Sequence, residues 1–102
     1  MRRNISVYRS LRKEYDDGHM ESGEYRDRMV AAVRQRGGNA SVRLLRGLLT
    51  LCRNNETFFN GQAISTHLRG RPQILKPFID GGIVEVNRDS RLPTYRIKPE
   101  FK

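Results

Sequence analysis

The chain has no tryptophan, a single cysteine (Cys52) and four prolines in 102 residues. Without Trp, and with only 36 % apolar residues, any hydrophobic core has to be small. One cysteine cannot build a disulfide framework, which fits a reducing compartment. No apolar run approaches the roughly 20 residues of a membrane-spanning helix, and no apolar signal segment follows Met1. Acidic residues are also scarce relative to basic ones, at 11 Asp+Glu against 20 Lys+Arg, a formal net charge of +9. Sixteen of the 20 basic residues are Arg, whose planar fork suits phosphate better than the point charge of Lys. The expected partner is an anion, nucleic acid before membrane, and the expected location is cytoplasmic, at the nucleoid.

Catalytic and metal-binding patterns are missing as well. His19, His67 and Cys52 are scattered without zinc-ligand spacing. No nucleotide-binding phosphate loop, nucleophile elbow or pair of catalytic carboxylates appears. An enzyme is therefore not expected, and neither is a metal or cofactor. His67 reads as structural or phosphate-facing, and Cys52 as a small core residue. The acidic run Asp16, Asp17, Glu21 and Glu24 reads as a solvated cap, or as a surface for a basic partner or a neighbouring copy.

The clearest punctuation is the glycine pair in Gly37-Gly38-Asn39-Ala40-Ser41. Nine basic and six acidic residues precede the pair, and eleven and five follow it, so the positive excess leans toward the second part. Residues 1–40 read as a helical arm or hairpin, available for homodimerisation. The first helix carries Ile5, Tyr8, Leu11, Arg12 and Tyr15 at helical spacing, with Asn4 as its expected cap and Asp17-Gly18 as its stop. The second runs from about Ser22 to Arg36 with Tyr25, Met29, Ala32 and Val33 on one face, and Gly37 takes the left-handed cap position. Each stripe is narrow, so the hairpin has to lean on the rest of the chain or on another subunit.

Residues 41–102 read as the second unit. Val42, Leu45, Leu48, Leu49 and Cys52 line one face of a helix from about Ser41 to Asn54, broadened by Leu44 and Leu51. Arg43, Arg46, Thr50 and Arg53 fall opposite. A brief strand is expected within Glu56–Gly61. Asn60 then caps a short helix ending at Leu68, with Gln62, Ser65, Thr66 and Arg69 outward. Gly70 is expected to supply a positive φ, and Pro72 to open the next helix. That helix turns Ile74, Leu75, Phe78 and Ile79 inward and ends at Gly81-Gly82. Pro77 in its interior is a conflict, because it removes the bond to the Gln73 carbonyl at a cost of about 3 kcal/mol, and it leaves the helix to start as a tighter turn, to kink there or to be shorter. Thereafter the period becomes two: Val84, Val86, Tyr95 and Ile97 alternate with Glu85, Asn87, Arg96 and Lys98 in two strands joined by the polar loop Arg88–Pro93. Pro99 ends the second strand and Phe101 folds back on the core.

Within this order, Arg69-Gly70-Arg71-Pro72 resembles the centre of an AT-hook, an extended arm for the minor groove of A·T-rich DNA. Its flanks, Leu68 and Ile74-Leu75, are apolar and helix-periodic. Tearing them from a core costs roughly 1.5–3 kcal/mol per side chain, which favours a turn between helices. The stretches AISTHLRGRPQILKPFIDGGIVEV and NRDSRLPTYRI together resemble the winged helix-turn-helix family over residues 41–99. The resemblance implies an α+β, mostly helical fold in which a winged helix-turn-helix follows an N-terminal helical hairpin. It also implies a small transcriptional regulator binding double-stranded DNA, with RNA not excluded. Arg69, Arg71, Gln73 and Lys76 would then cluster at the front of the recognition helix, with Gln73 reading a base edge. Arg88 and Arg91 at the wing tip would reach the backbone or minor groove. Arg43, Arg46 and Arg53 on the first core helix would touch flanking phosphates or only face water, and Thr66 is a further nucleic-acid-binding candidate. The competing expectation is a protein-interaction module that keeps the winged shape, for instance an inhibitor of a host nucleic-acid machine carried by a virus or mobile element.

Overall fold

The computed structural model describes residues 2–54 and 58–102, with side chains from residue 7 onward. Five α-helices, three short strands and two 3-10 turns follow one another in it. The chain is mostly helical with a small antiparallel sheet, an α+β arrangement.

Helix α1 (Arg2–Asp16) starts before Asn4, which therefore lies inside the helix and does not cap it. Helix α2 (Ser22–Gln35) buries Tyr25, Met29, Ala32 and Val33, the stripe its spacing anticipates. The two helices pack as a hairpin, with the Tyr15 and Tyr25 rings stacked at 4.7 Å between centroids. After α2 the chain turns at Gly37, with φ of 83°, a conformation in which any side chain bearing a Cβ is strained. The apolar faces of the hairpin are covered within the chain. Tyr25, Met29 and Val33 belong to the same core cluster as Leu45, Leu48, Phe78 and Phe101.

Helix α3 (Asn39–Asn54) runs through the middle of the molecule and buries Val42, Leu44, Leu45, Leu48 and Cys52. Its inner face meets the sheet, where the Ile97 N–H donates to Cys52 Sγ at 3.4 Å. Strand β1 is two residues long, Phe59–Asn60, and the first part of the strand expected from Glu56 lies outside the described residues. Helix α4 (Gly61–Leu68) is capped as its sequence suggests: Asn60 Oδ1 accepts from the Ala63 N–H at 2.7 Å. Asn60→Ala is accordingly expected to lower stability by about 1 kcal/mol in urea unfolding, with an unchanged m-value.

The turn after α4 corrects the sequence reading. The left-handed residue is Arg69, with φ of 55°, and not Gly70. Gly70 is required for space instead: a Cβ there would sit 2.9 Å from Leu44 Cδ1 on α3. The turn packs directly on the core helix, so the residue nearest that helix has to lack a side chain. Arg69 ends α4 through its N–H, which donates to the Ser65 carbonyl at 2.9 Å.

Pro77 is likewise resolved by a break in the helix. A 3-10 turn, Pro72–Leu75, precedes a short helix α5, Lys76–Asp80. Pro72 and Pro77 each fall in the first two positions of their own element, where a missing N–H is unpaired in any case. The Gln73 carbonyl that Pro77 would have orphaned accepts instead from the Lys76 N–H. Of the outcomes Pro77 leaves open, the structure takes the tighter start: a 3-10 turn leads into a short α-helix. Leu75 and Phe78 are buried, with Ile74 and Ile79 packed against the same core. Helix α5 closes with Gly82 in the left-handed region, φ 82°. The Ile83 N–H donates to the Phe78 carbonyl and the Gly82 N–H to that of Ile79.

Strands β2 (Val84–Asn87) and β3 (Thr94–Ile97) pair antiparallel, with Val84 opposite Ile97 and Val86 opposite Tyr95. Strand β1 adds to the other side of β3, giving the order β1-β3-β2. The alternation holds at its ends, where Val84 and Ile97 are buried, and is looser toward the loop, where Val86 and Tyr95 are half-buried. A last 3-10 turn, Pro99–Phe101, brings Phe101 against Tyr15 and Tyr25.

Candidate nucleic-acid interface

The turn between α4 and the 3-10 segment is braced from both sides. Ser65 Oγ donates to the Gly70 carbonyl at 3.2 Å, and Gly70 rests on Leu44. Arg71 is extended, with φ −84° and ψ 133°, as the residue before a proline must be to avoid its ring. Arg69 and Arg71 therefore leave the turn as exposed side chains on a backbone fixed by the core. Gln73, one residue past Pro72, is exposed as well.

Across from this turn lies the β2–β3 loop, which carries its own local hydrogen bonds. Asn87 Oδ1 accepts from the Asp89 N–H at 2.8 Å, and Ser90 Oγ donates to the Leu92 carbonyl at 2.8 Å. Such side-chain-to-backbone bonds order a polar loop without secondary structure. Between turn and loop runs an open groove of about 550 Å³. Gln62 and Ser65 of α4 form one wall, Arg71 and Gln73 another, and Leu92, Pro93 and Tyr95 the third.

Of the residues expected to act together, Arg71 and Gln73 share this groove. Arg88 and Arg91 are exposed on the same loop as Leu92, and Thr66 and Arg69 on the exposed end of α4, but none of the four lines the groove. Lys76 does not line this groove. It pairs with Asp80 at 3.2 Å and borders a second groove, of about 420 Å³, with Tyr8, Arg9 and Arg12 of α1. Helix α1 packs beside α5 there, through the 2.6 Å bond from Arg12 Nη1 to the Asp80 carbonyl. Arg46 belongs to neither groove. It projects from the outer face of α3, beside Arg34 and Arg43 on one side and Arg53 on the other.

Sequence reasoning missed Leu92. It was one residue in a loop judged polar, yet it is the one large apolar side chain exposed among the described residues, at 66 %. Its signal was present: an apolar residue at the tip of an otherwise polar hairpin has no core to enter. Tyr95 was assigned to the inward face, and it borders the groove because β3 is buried only at its far end. Arg96, by contrast, is internal to the sheet. It pairs with Glu85 across the strands at 3.4 Å and lies 4.6 Å from the centre of the Phe58 ring, so its charge is neutralised at home.

Among the described residues no three His, Cys, Asp or Glu side chains converge as a metal site would require. No described helix is long and apolar enough to cross a membrane. No protein-family model, curated protein or solved structure matches this chain.

Proposed function

We propose that the chain is a DNA-binding protein, a small transcriptional regulator of the winged helix-turn-helix kind. The observation that carries this reading is the groove in which Arg71 and Gln73, just after a tight inter-helix turn, face the tip of a β-hairpin. The order of elements supports it: three helical segments, then two strands whose loop holds Arg88 and Arg91, with a short strand completing the sheet at β3. In this reading α4 and the 3-10 segment form the helix-turn-helix, and the β2–β3 hairpin is the wing. Gln73 pairs with a base edge, adenine by the geometry of a side-chain amide. Arg69, Arg71 and Lys76 hold phosphates of the strand alongside, Thr66 adds a hydroxyl contact, and Arg88 and Arg91 reach the backbone or minor groove beyond.

With about six phosphates neutralised, log K should fall with log salt at a slope near −5 in mobility-shift titrations. Reversing two charges, Arg71→Glu with Lys76→Glu, is expected to abolish the shift, while Gln73→Ala weakens preferred sites and leaves random duplex unaffected. A wild-type protein that shifts no duplex at low salt removes the proposal.

Leu92 favours a second reading, in which the same groove grips a protein. An exposed leucine at a hairpin tip is an interface anchor in waiting, and a partner would bury it in a pocket. Pull-down from lysate after nuclease treatment separates the two. Capture that persists, and that Leu92→Ser abolishes, supports the protein partner. Capture that vanishes with the nucleic acid supports DNA.

A further inference from the structure

The outer face of α3 carries a second concentration of positive charge that the groove does not use. Arg43, Arg46 and Arg53 are all exposed, as is Thr50 between them. At 100° per residue these positions span an arc of about 80°, a single stripe along the helix. Arg34, from the end of α2, joins Arg43 and Arg46 around a depression of about 260 Å³. Among the described residues, Arg34, Arg43 and Arg46 have no carboxylate within ion-pair distance. That contrasts with Lys76, Arg12, Arg28 and Arg96, each of which has one.

The stripe and the groove lie on different sides of the molecule. Leu44 on the inner face of α3 supports Gly70 of the turn, and Cys52 on the same face accepts from β3. At 100° per residue Arg46 and Arg53 stand about 160° and 180° round α3 from Leu44, on the side turned away from the turn, while Arg43 lies at the edge of the stripe nearer α4, whose Leu68 packs on Gly47.

We infer that the α3 stripe is a second polyanion surface, which holds the phosphate backbone of another nucleic-acid segment while the groove holds the first. The chain would then bridge two duplexes as a single copy. This rests on the reading of the groove given above. Nucleic acid suits the face better than an acidic protein does. Protein interfaces are anchored by buried aromatic or large aliphatic side chains, and this face exposes none. A phosphate backbone asks only for well-placed cations, and arginine meets it bidentately. Binding there is independent of sequence and steep in salt, with a slope near −3 for three phosphates.

The test uses the full chain and two blunt duplexes, one fixed to beads and one labelled in solution. Wild-type protein is expected to retain the labelled duplex on the beads at low salt and to release it as salt rises. The triple variant Arg34→Glu/Arg43→Glu/Arg46→Glu should still bind one duplex, within about threefold of wild type, and lose retention of the second by about tenfold or more. The corresponding triple Gln variant, milder and closer in size, should lie between the two, and circular dichroism of each variant should match wild type. Binding of one duplex without bridging overturns the second surface and leaves the reading of the groove in place. Bridging that survives both triple variants does the same, because two copies joined to each other would then account for it. Loss of all binding in the stripe variant, with none in Arg71→Glu/Lys76→Glu, overturns the groove and keeps the stripe.

Discussion

Phe101→Ala is expected to lower the stability of the protein by about 3–5 kcal/mol, the usual cost of emptying a buried phenylalanine site. The residue lies one position from the end of the sequence, yet only 2 % of its surface is exposed. Its ring stands 5.4 Å from Tyr15 and 5.8 Å from Tyr25, tilted against both, so one side chain closes the stack that joins α1 to α2. Its carbonyl accepts from Arg26 Nη1 at 2.9 Å, which fixes the terminal 3-10 turn onto α2. Neighbouring side chains collapse poorly into such a hole, because two of the three rings are already stacked on each other. For a domain whose total stability is typically 5–15 kcal/mol, the loss lowers Tm by more than about 10 °C. Urea unfolding followed by tyrosine near-ultraviolet dichroism measures it. A loss below about 1 kcal/mol would show that the ring trio contributes little to the attachment of the hairpin.

The second large effect is a pH dependence tied to one hydroxyl. Tyr25 is fully buried and donates from its phenol to the Gly81 carbonyl at 2.6 Å. Burial pushes its pKa from the ordinary 10 up to about 12, with the nearby Arg12 guanidinium opposing the rise. The folded protein therefore keeps a proton that the unfolded chain releases above pH 10. Bound protons are then more numerous in the native state, and stability falls as pH climbs from about 10 toward 12. The full loss is about 2–3 kcal/mol, and roughly half of it is spent by pH 11. Tyr25→Phe lacks both the hydrogen bond and the titration. At neutral pH the variant is expected to be less stable by about 1–2 kcal/mol, since the Gly81 carbonyl loses its donor. Near pH 11 the two proteins should unfold at the same urea concentration. Parallel stability curves across that range would mean that the phenol is hydrated in the native state.

Both predictions concern the contact between the first forty residues and the rest, and there the sequence was least informative. Its stripes on α1 and α2 were legible because an apolar face at helical spacing is a local pattern. What covers those faces is not local. Tyr25 meets Gly81, Arg26 meets Phe101 and Arg12 meets Asp80, all more than fifty residues away. The two strands were legible for the same local reason: Val84, Val86, Tyr95 and Ile97 alternate with polar residues on either side of one loop. Their register, Val84 opposite Ile97, comes from the tertiary structure.

The candidate site divides in the same way. Residue types alone pointed to Arg71 and Gln73 beside a turn, and to a hairpin with a charged loop. The spacing puts Lys76 at the front of the helix after the turn and Arg46 on the outer face of the first core helix. Neither lines the groove: Lys76 pairs with Asp80 beside α1, and Arg46 stands on the outer side of α3. Gly70 shows why such placement is not local. The sequence required a glycine in the turn, and the reason, a Leu44 side chain 2.9 Å from where a Cβ would sit, exists only after the turn has docked on α3.

By itself, then, the sequence determined the helices, their glycine ends, the Asn60 cap, the hairpin and the basic excess. Each depends on residues within a few positions of one another, where backbone sterics and hydrogen bonding act before any tertiary contact forms. Tertiary structure alone decided which cations share a surface, where the left-handed residue of the turn falls, and that Leu92 stays in solvent. Those outcomes depend on close packing between distant segments, and close packing leaves no trace in the order of residues.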